Sequence, residues 1–433
     1  MEESSANNQA AHSIDNRPSR KKLIYVAIAV AILLILGLVI FLVNKKDDKN
    51  SVNSASQQQA VNNKAEETQP KSLFAGQYLQ GCQENKVSFT HSPVPLSQMG
   101  YVEPMGKMND GHVTPTDHVY ISPLNFNAAD NTTDVVMPAD GIVAEVAAMP
   151  AQYIGDRQQQ TAPEDHRLVV VHNCQYVSIF IHVHRLSPAL KAAVGGLQPN
   201  EGKRPMLSLK AGDSLGKIGG NPVDWSLMDS SKTLDGFITP SLYQGESWKI
   251  HVIDPISVYS GTLKEQLIAK SLRSSEPYGG KIDYDKKGAL IGNWFREGTN
   301  GYQGADQSRY WDGHLAVVPN YIDSSATMVS LGNWQGKAAQ FSVKGNVSPA
   351  EVTAASGMAK YELIDSMYVT ADGRPWNMGL AKGIKVSQQG SAQVKGVVAF
   401  QVLNGEKLRV ELFPGKTAAQ VNGFTSAAQT YVR

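Results

Sequence analysis

The stretch LVVVHNCQYVSIFIHVHRL, residues 168–186, contains two runs of apolar and β-branched residues separated by Asn173–Gln175. Val, Ile, Tyr and Phe favour strands, and an Asn-containing break between two such runs favours a turn. The stretch therefore predicts a β-hairpin with its turn at Asn173–Gln175. In its second strand, His182 and His184 are two residues apart, so strand periodicity predicts that both lie on one face.

Two glycine turns flank this hairpin in the sequence. MPADGIVAEV at 137–146 and LKAGDSLGKIG at 209–219 each place Asp and Gly between apolar positions. Glycine suits tight turns because it has no Cβ. A further strand-like run covers Trp248–Ile253, and short helices are expected near Ser187–Val194 and Leu263–Arg273. The region is predicted to be mostly β.

The order of these segments resembles the β-core of the lysostaphin-type (LytM-like) zinc peptidases over residues 110–258. In that family an Ala-Asp-Gly turn precedes a hairpin, a Gly-Asp turn follows it, and a strand carrying His-x-His closes the core. Biotinyl and lipoyl carrier domains share the two glycine turns, but they carry a lysine in a Met-Lys-Met-like hairpin, and this sequence has none. The resemblance implies a peptidase-like β domain.

The resemblance also implies a zinc site. The family binds Zn²⁺ through a His-x3-Asp motif and the second His of His-x-His, which leaves one position open for water. The matching residues here are His112, Asp117 and His251, with His118 as the alternative to Asp117. Because His112 and Asp117 are five positions apart rather than four, the match requires a one-residue insertion. Zinc is therefore an expected cofactor.

Two further residues match catalytic positions of the family. His182 matches a catalytic His that would orient water or stabilise developing charge, and Lys249 replaces the first His of His-x-His. A lysine is cationic near neutral pH and would be repelled by Zn²⁺. These histidines also have purely structural interpretations. His182 and His184 also suit a half-buried strand in which the ring nitrogens are hydrogen-bonded, and His112 and His118 also suit a loop cap.

A second β-rich region begins near Ala289. Its runs include Val394–Leu403 and Lys407–Phe413, which flank Asn404-Gly405, a strong hairpin signal. The series of strands predicts a barrel or a sandwich. Gly292-Asn293-Trp294 is similar to the Gly-x-Trp motif of lipocalin-type barrels, in which the Trp plugs one end. Such a barrel either holds a small apolar ligand or is closed and packed.

Residues 23–43, LIYVAIAVAILLILGLVIFLV, are free of charge, and about 20 apolar residues suffice to cross a bilayer. A buried core helix and a cleaved signal peptide are the alternatives, but no small-residue cleavage pattern follows. Lys and Arg are slightly more frequent before the segment than after it, which favours a cytoplasmic N-terminus and an extracytoplasmic body. The polar residues 44–72 predict a disordered linker.

The composition limits the classes of partner and of fold. Lys+Arg is 40 and Asp+Glu is 39 in 433 residues, so the net charge of +1 gives no basic surface for nucleic acid. With two cysteines, a four-thiolate zinc module and a multi-disulfide scaffold are excluded. In an extracytoplasmic body, Cys82 and Cys174 either form a disulfide or stay as two buried thiols.

The sequence thus predicts a mostly all-β protein with an N-terminal transmembrane helix. Its expected parts are a cytoplasmic tail (1–22), the transmembrane helix (23–43), the linker (44–72), a LytM-like domain (73–273) and a β-barrel-like domain (288–433). The leading hypothesis is a single-pass membrane protein whose body is a non-catalytic cell-envelope module that binds a cell-wall polymer or an envelope protein. The alternative is an active zinc endopeptidase that cleaves cell-wall or other peptides.

Overall fold

The computed structural model describes residues 82, 84–129, 131–149, 164–387 and 393–433. These residues belong to one compact unit, Thr68–Arg433. The predicted tail, transmembrane helix and linker lie outside the described residues. Within the described ranges, no helix combines the length and the apolar character needed to cross a bilayer.

The first part of the described chain consists of two antiparallel sheets. Their strands are β1 (Met99–Glu103), β2 (Val119–Pro123), β3 (Thr133–Val136), β4 (Gly141–Ala148), β5 (His166–Val171), β6 (Tyr176–Val183), β7 (Arg185–Leu186), β8 (Gly202–Lys203), β9 (Leu207–Leu209), β10 (Ser214–Ile218) and β11 (Val223–Asp229). The larger sheet has the order β1-β2-β11-β6-β5-β4-β8, with β9 also paired to β4, and the smaller has the order β3-β10-β7. Strands β5 and β6 pair with Val171 opposite Val177, so the hairpin predicted from the opening stretch is confirmed.

Two short helices accompany these sheets, α1 (Pro188–Val194) and α2 (Gly261–Lys270). The predicted N-cap of α1 is confirmed, since the amide of Leu190 donates to Ser187 Oγ at 3.4 Å. The predicted strand Trp248–Ile253 is wrong. A 3-10 turn, Lys249–His251, forms there instead, because the amide of His251 bonds locally to the carbonyl of Trp248 at 2.9 Å.

Further 3-10 turns connect the strands, and they are Pro240–Glu246, Pro255–Val258, Gly301–Gln303, Gln307–Gly313, Ala354–Ser356 and Ala418–Gln420.

The second β region is a closed antiparallel barrel. Its strands are β12 (Gly292–Arg296), β13 (His314–Pro319), β14 (Thr327–Trp334), β15 (Lys337–Val343), β16 (Ala359–Ile364), β19 (Gly396–Leu403), β20 (Lys407–Pro414) and β21 (Gln429–Val432), while β17 (Met367–Val369) and β18 (Lys385–Ser387) pair beside it. Of the two predicted architectures, the barrel is therefore the observed one. Trp294, Tyr361 and Phe400 are at most 1% exposed and belong to one apolar cluster, which is the arrangement of a packed interior.

A buried arginine fixes the closure of this barrel. The guanidinium of Arg433 lies 4.0 Å from the ring centre of Trp294. It donates to the carbonyls of Lys286 at 2.6 Å and Ala289 at 2.7 Å, to the carbonyl of Ile291, and to Glu406 Oε2 at 2.9 Å. Arg433 thereby ties β21 to the segment that leads into β12.

Cys82 and Cys174 form a disulfide with a Cα–Cα distance of 5.2 Å. Cys174 lies in the turn between β5 and β6, so the bridge connects Cys82 to the central hairpin.

Removal of this disulfide is expected to destabilise the fold. The bridge spans a sequence separation of 92 residues, and closing a loop of that length restricts the unfolded chain by about 4–5 kcal/mol in the chain-entropy model. The double variant Cys82→Ala/Cys174→Ala should lose about 2–5 kcal/mol in the free energy of unfolding, measured by urea denaturation. Reduced wild-type protein is the control and should show a similar loss; a double variant as stable as the oxidised protein would contradict the expectation.

Candidate functional site

Asp117 and His118 lie at the entrance to β2, in a loop that is held by its own backbone and by the barrel. The amide of Gly106 donates to the carbonyl of Thr116 at 2.8 Å. A Cβ on Gly111 would lie 3.0 Å from the ring of Trp311, so any other residue at this position would require Trp311 to move by a few tenths of an ångström. The loop therefore has a fixed position relative to the strand that follows it.

His182 lies in a β-bulge of β6. The pairing of β5 with β6 shifts between His166 and Leu168, and His182 has a φ of 71°, in the left-handed region. This conformation is uncommon for residues other than glycine, and bulges redirect side chains next to functional sites. The period-two argument that predicts one face for His182 and His184 does not hold across such a bulge.

Strand β11 places a carboxylate between the loop of His118 and the bulge of His182. Asp224 is paired with Tyr120 of β2 on one side and with Ile181 of β6 on the other. Its Oδ2 lies 3.4 Å from His118 Nε2 and 3.7 Å from His182 Nε2. The second nitrogen of His182 bonds to Asp165 Oδ2 at 2.8 Å. Acidic and basic groups therefore alternate from Asp165 to His118.

The alternation continues to a buried lysine. His118 Nδ1 lies 3.1 Å from Asp117 Oδ1, and Lys249 Nζ lies 3.9 Å from Asp117 Oδ2 and 3.6 Å from Glu246 Oε2. Lys249 is 2% exposed. We call the seven residues the charge chain: Asp165, His182, Asp224, His118, Asp117, Lys249 and Glu246.

A residue of the barrel covers the lysine end of the charge chain. Lys249 Nζ lies 4.9 Å from the ring centre of Tyr302 and 3.5 Å from its hydroxyl oxygen. Tyr302 belongs to the 3-10 turn that follows β12 and is 7% exposed. The opposite end is more open, since the side chains of His182 and Asp165 are 30% and 25% exposed.

Charge pairing sets the protonation of the two histidines. Burial alone would lower the pKa of His182, but the hydrogen bond to Asp165 and the charge of Asp224 raise it to about 9. Burial likewise opposes the charged form of His118, and the Asp224 and Asp117 carboxylates outweigh it, so the pKa of His118 is raised. Lys249 and His118 hold the pKa of Asp117 well below its usual range in spite of burial. His182 is therefore an imidazolium cation near pH 7, and the surrounding carboxylates favour the charged form of His118.

Asp117, one of the predicted metal ligands, lies among hydrogen-bond donors. Asp117 Oδ2 accepts from Trp248 Nε1 at 3.0 Å and faces Lys249, while Oδ1 faces His118. Both oxygens of this carboxylate thus face hydrogen-bond donors or the Lys249 ammonium group. Across the residues for which the structure gives positions, no group of three or more His, Cys, Asp or Glu side chains is arranged to hold a metal ion.

His112 and His251 take other positions. The ring centre of His112 lies 6.2 Å from that of His118, in an edge-to-face arrangement. His251 Nδ1 bonds to the carbonyl of Lys232 at 2.5 Å. In a strand, positions 249 and 251 would face the same side, but a 3-10 turn has three residues per turn and directs them apart. Lys249 therefore faces Asp117, while His251 bonds to the loop after β11.

The sequence interpretation missed Asp165, Asp224 and Glu246. A signal for Asp224 was present: β11 reads VDWSLMD, in which apolar and polar residues alternate over the first five positions, a pattern typical of a strand. That pattern predicts an exposed polar face, whereas all seven residues of β11 are buried. Glu246 lies three residues before Lys249, and Asp165 meets His182, 17 residues later, across the β5–β6 hairpin.

Comparisons with known proteins assign neither a family nor an activity to this chain. No protein-family model matches the chain, and no curated protein matches it. The NMR solution structure of lysostaphin is 12% identical, with a TM-score of 0.19, and the match covers 73% of this chain and 80% of that chain. Lysostaphin from Staphylococcus simulans, described as an antimicrobial peptidase, is 12% identical, with a TM-score of 0.20, over 77% of this chain and 86% of that chain. Similarity at this level assigns no activity to this chain.

The raised pKa of His182 gives a pH-dependent stability. Its pKa is about 6.5 when unfolded and about 9 when folded, so its stabilising effect is complete below pH 6.5 and is lost as the pH rises through about 9. Between pH 6.5 and 9.5 the wild type should lose about 1–2 kcal/mol in the free energy of unfolding from this group, allowing for its partial exposure. His182→Gln should remove that component, as measured by urea denaturation at both pH values. His91→Gln, at an exposed ring, is the control and should keep the wild-type pH profile; equal profiles for wild type and His182→Gln would contradict the assignment.

Proposed function

We propose that this protein is a non-catalytic cell-envelope module, which binds a cell-wall polymer or an envelope protein. The observation that supports this proposal most directly is the position of Lys249. Its ammonium group lies 3.9 Å from Asp117, the carboxylate that a zinc peptidase of the resembling type would need as a ligand. The site therefore carries its own positive charge.

The magnitude of the repulsion supports a non-catalytic role. Two unit charges of the same sign 4 Å apart repel by about 4 kcal/mol at an effective dielectric constant of 20. Lys249 would likewise repel a zinc dication bound at Asp117. The charged ring of His182 adds further positive charge to the site. A peptidase of this type needs a metal with an open position for water, and the charge chain provides neither.

The proposed location is the outer face of a membrane, with residues 23–43 as the anchor. The apolar run is free of charge over 21 positions, which is a bilayer-spanning length. The disulfide between Cys82 and Cys174 supports an oxidising compartment, because disulfides are rare in reducing compartments.

Zinc should neither bind nor stabilise this protein. We expect the full-length protein, purified in detergent in the presence of Zn²⁺ and then desalted, to contain substoichiometric zinc by elemental analysis. Its thermal unfolding midpoint should be the same with EDTA and with added Zn²⁺, since no metal would bind the folded state and stabilise it.

The alternative function predicts a different result in the same experiment. One zinc per chain, lost on His251→Ala, would contradict the proposal and favour the zinc endopeptidase. Co-sedimentation with isolated cell-envelope material tests the binding role directly. Binding by the metal-free protein is expected, and its absence with every envelope fraction would contradict the proposed module.

A further inference from the structure

Two loops expose large apolar side chains on one surface of the protein, away from the charge chain. In the described part of the chain, seven large apolar side chains are at least 40% exposed, and four of them lie on the loops 124–126 and 378–380. They are Leu124 at 60%, Phe126 at 44%, Met378 at 56% and Leu380 at 47%. We call these four residues the apolar surface. Such a concentration of exposed apolar groups is typical of an interaction surface.

A row of aromatic rings joins the two loops. The ring centre of Phe126 lies 5.6 Å from that of Tyr101, which in turn lies 6.5 Å from the ring centre of Trp376. The indole Nε1 of Trp376 donates to the carbonyl of Gly379 at 2.7 Å, so the same ring holds the middle of the loop 378–380. The two loops therefore form one continuous surface.

Both loops are attached to the body behind them. A Cβ on Gly220 would lie 2.1 Å from the carbonyl oxygen of Phe126, so the first loop packs directly on this glycine. Just after the second loop, Lys382 Nζ donates to the carbonyl of Ile268 at 2.7 Å, in the last turn of α2. The apolar surface is therefore presented by loops in fixed positions.

The chemistry of the apolar surface favours lipid over carbohydrate. Leu, Phe and Met side chains offer no strong hydrogen-bonding group, whereas the hydroxyls of a sugar need nitrogen and oxygen partners. The rings that lie beside them belong to Tyr101 and Trp376. Tyr and Trp are the residue types enriched at the boundary between membrane and water, because each has an apolar body and a polar tip.

The segment that carries the second loop has an excess of positive charge. Arg374 pairs with Asp372 at 2.7 Å. Lys385 pairs with Asp323 at 3.1 Å. Over the described ranges, the ammonium group of Lys382 meets carbonyl oxygens and forms no ion pair with a carboxylate. One positive charge therefore remains beside the apolar surface, and the headgroup of an anionic lipid would complement it.

We propose that the apolar surface inserts into the headgroup region of the membrane that holds the proposed anchor, with Lys382 facing an anionic lipid. Residues 44–81 separate the proposed anchor from Cys82. A flexible chain of that length has a root-mean-square reach of roughly 35 Å, which lets the body lie against the bilayer. This inference rests on the proposed location at a membrane, and it does not involve the charge chain.

Tryptophan fluorescence of the full-length protein in vesicles tests the proposal. The vesicles contain phosphatidylcholine and phosphatidylglycerol, with either ordinary acyl chains or brominated acyl chains that quench tryptophan. Residues 1–81 contain no tryptophan, so quenching reports on the body and not on the anchor. We expect brominated lipid to lower the emission of the wild type, because Trp376 lies beside the apolar surface.

Matched variants locate the contact. Leu380→Ser should weaken the quenching about twofold or more, since it removes one of the four exposed apolar side chains. Val347→Ser is the control, because Val347 is 44% exposed on the connection between β15 and β16, and it should keep the wild-type quenching. Trp376→Phe should remove most of the quenching, whereas Trp311→Phe, in the turn Gln307–Gly313, should retain it.

Equal emission in ordinary and brominated vesicles would overturn this proposal, as would equal quenching in the wild type and Leu380→Ser. A larger change in tryptophan emission with an N-acetylglucosamine tetramer than with vesicles would also overturn it, because the surface would then bind a glycan. Flotation of the vesicles in a density gradient separates the two proposals. Protein that floats but is not quenched contradicts this inference alone, and protein that does not float contradicts the proposed location as well.

Discussion

Replacing Lys249 with methionine should lower the free energy of unfolding by about 3–5 kcal/mol, because it leaves buried carboxylates without their counter-charge. The ammonium group lies between Asp117 and Glu246 and beneath the ring of Tyr302, and the residue is 2% exposed. Methionine keeps most of the apolar length of the side chain, so the loss reports on the charge rather than on a cavity. Urea denaturation at pH 7 measures the difference.

The matched control is Lys210→Met. Lys210 forms an equally direct ion pair with Asp140, at 2.9 Å, but the two side chains are 80% and 62% exposed. An exposed pair contributes about 0–1 kcal/mol, so this variant should remain close to the wild type. If Lys249→Met were as stable as Lys210→Met, the ion pairs of Lys249 would contribute little to the stability of the fold.

Replacing Arg433 with methionine should destabilise the barrel by a similar amount, about 3–5 kcal/mol. The change leaves the carbonyls of Lys286, Ala289 and Ile291 without their donor and removes the cation from the face of Trp294. The environment of Trp294 also changes, so tryptophan fluorescence follows the transition during urea denaturation. Arg433→Lys should recover only part of the loss, because an ammonium group cannot reproduce the planar fork of a guanidinium.

Arg409→Met is the control for the aromatic contact alone. Its guanidinium lies 4.5 Å from the ring centre of Phe424, so it shares this type of contact with Arg433. A cation–π contact at a partly exposed position is worth about 0.5–1 kcal/mol, and the loss should stay near that value. Equal losses in the two variants would show that the carbonyl contacts of Arg433 contribute nothing measurable.

Local patterns predicted the elements whose structure is determined locally. The β5–β6 hairpin and the β19–β20 hairpin follow from runs of apolar and β-branched residues on both sides of turn-forming residues. Helix α1 follows from Ser187 and Pro188, which suit the N-cap and the first helical position. In these segments the neighbouring residues decide the conformation, so the sequence is sufficient.

The candidate site was predicted less well because its geometry depends on contacts between distant segments. The run Trp248–Ile253 has the alternation of a strand, yet a local hydrogen bond to the carbonyl of Trp248 forms a 3-10 turn and separates Lys249 from His251. Asp224 was missed because its place in the alternation of Val223–Leu227 predicts an exposed position, whereas the strand is buried along its whole length. The left-handed conformation of His182 arises from its pairing with β5, and no local residue pattern indicates it.

The disulfide also determines how the protein carries mechanical load. A pull applied to the chain ahead of Cys82 passes through the sulfur bridge to Cys174, in the turn between β5 and β6. The residues between the two cysteines do not carry this load. They include Asp117, His118 and Asp165. Tension on the chain ahead of Cys82 would therefore reach the middle of the large sheet first, and the loop that enters β2 would be shielded from stretching.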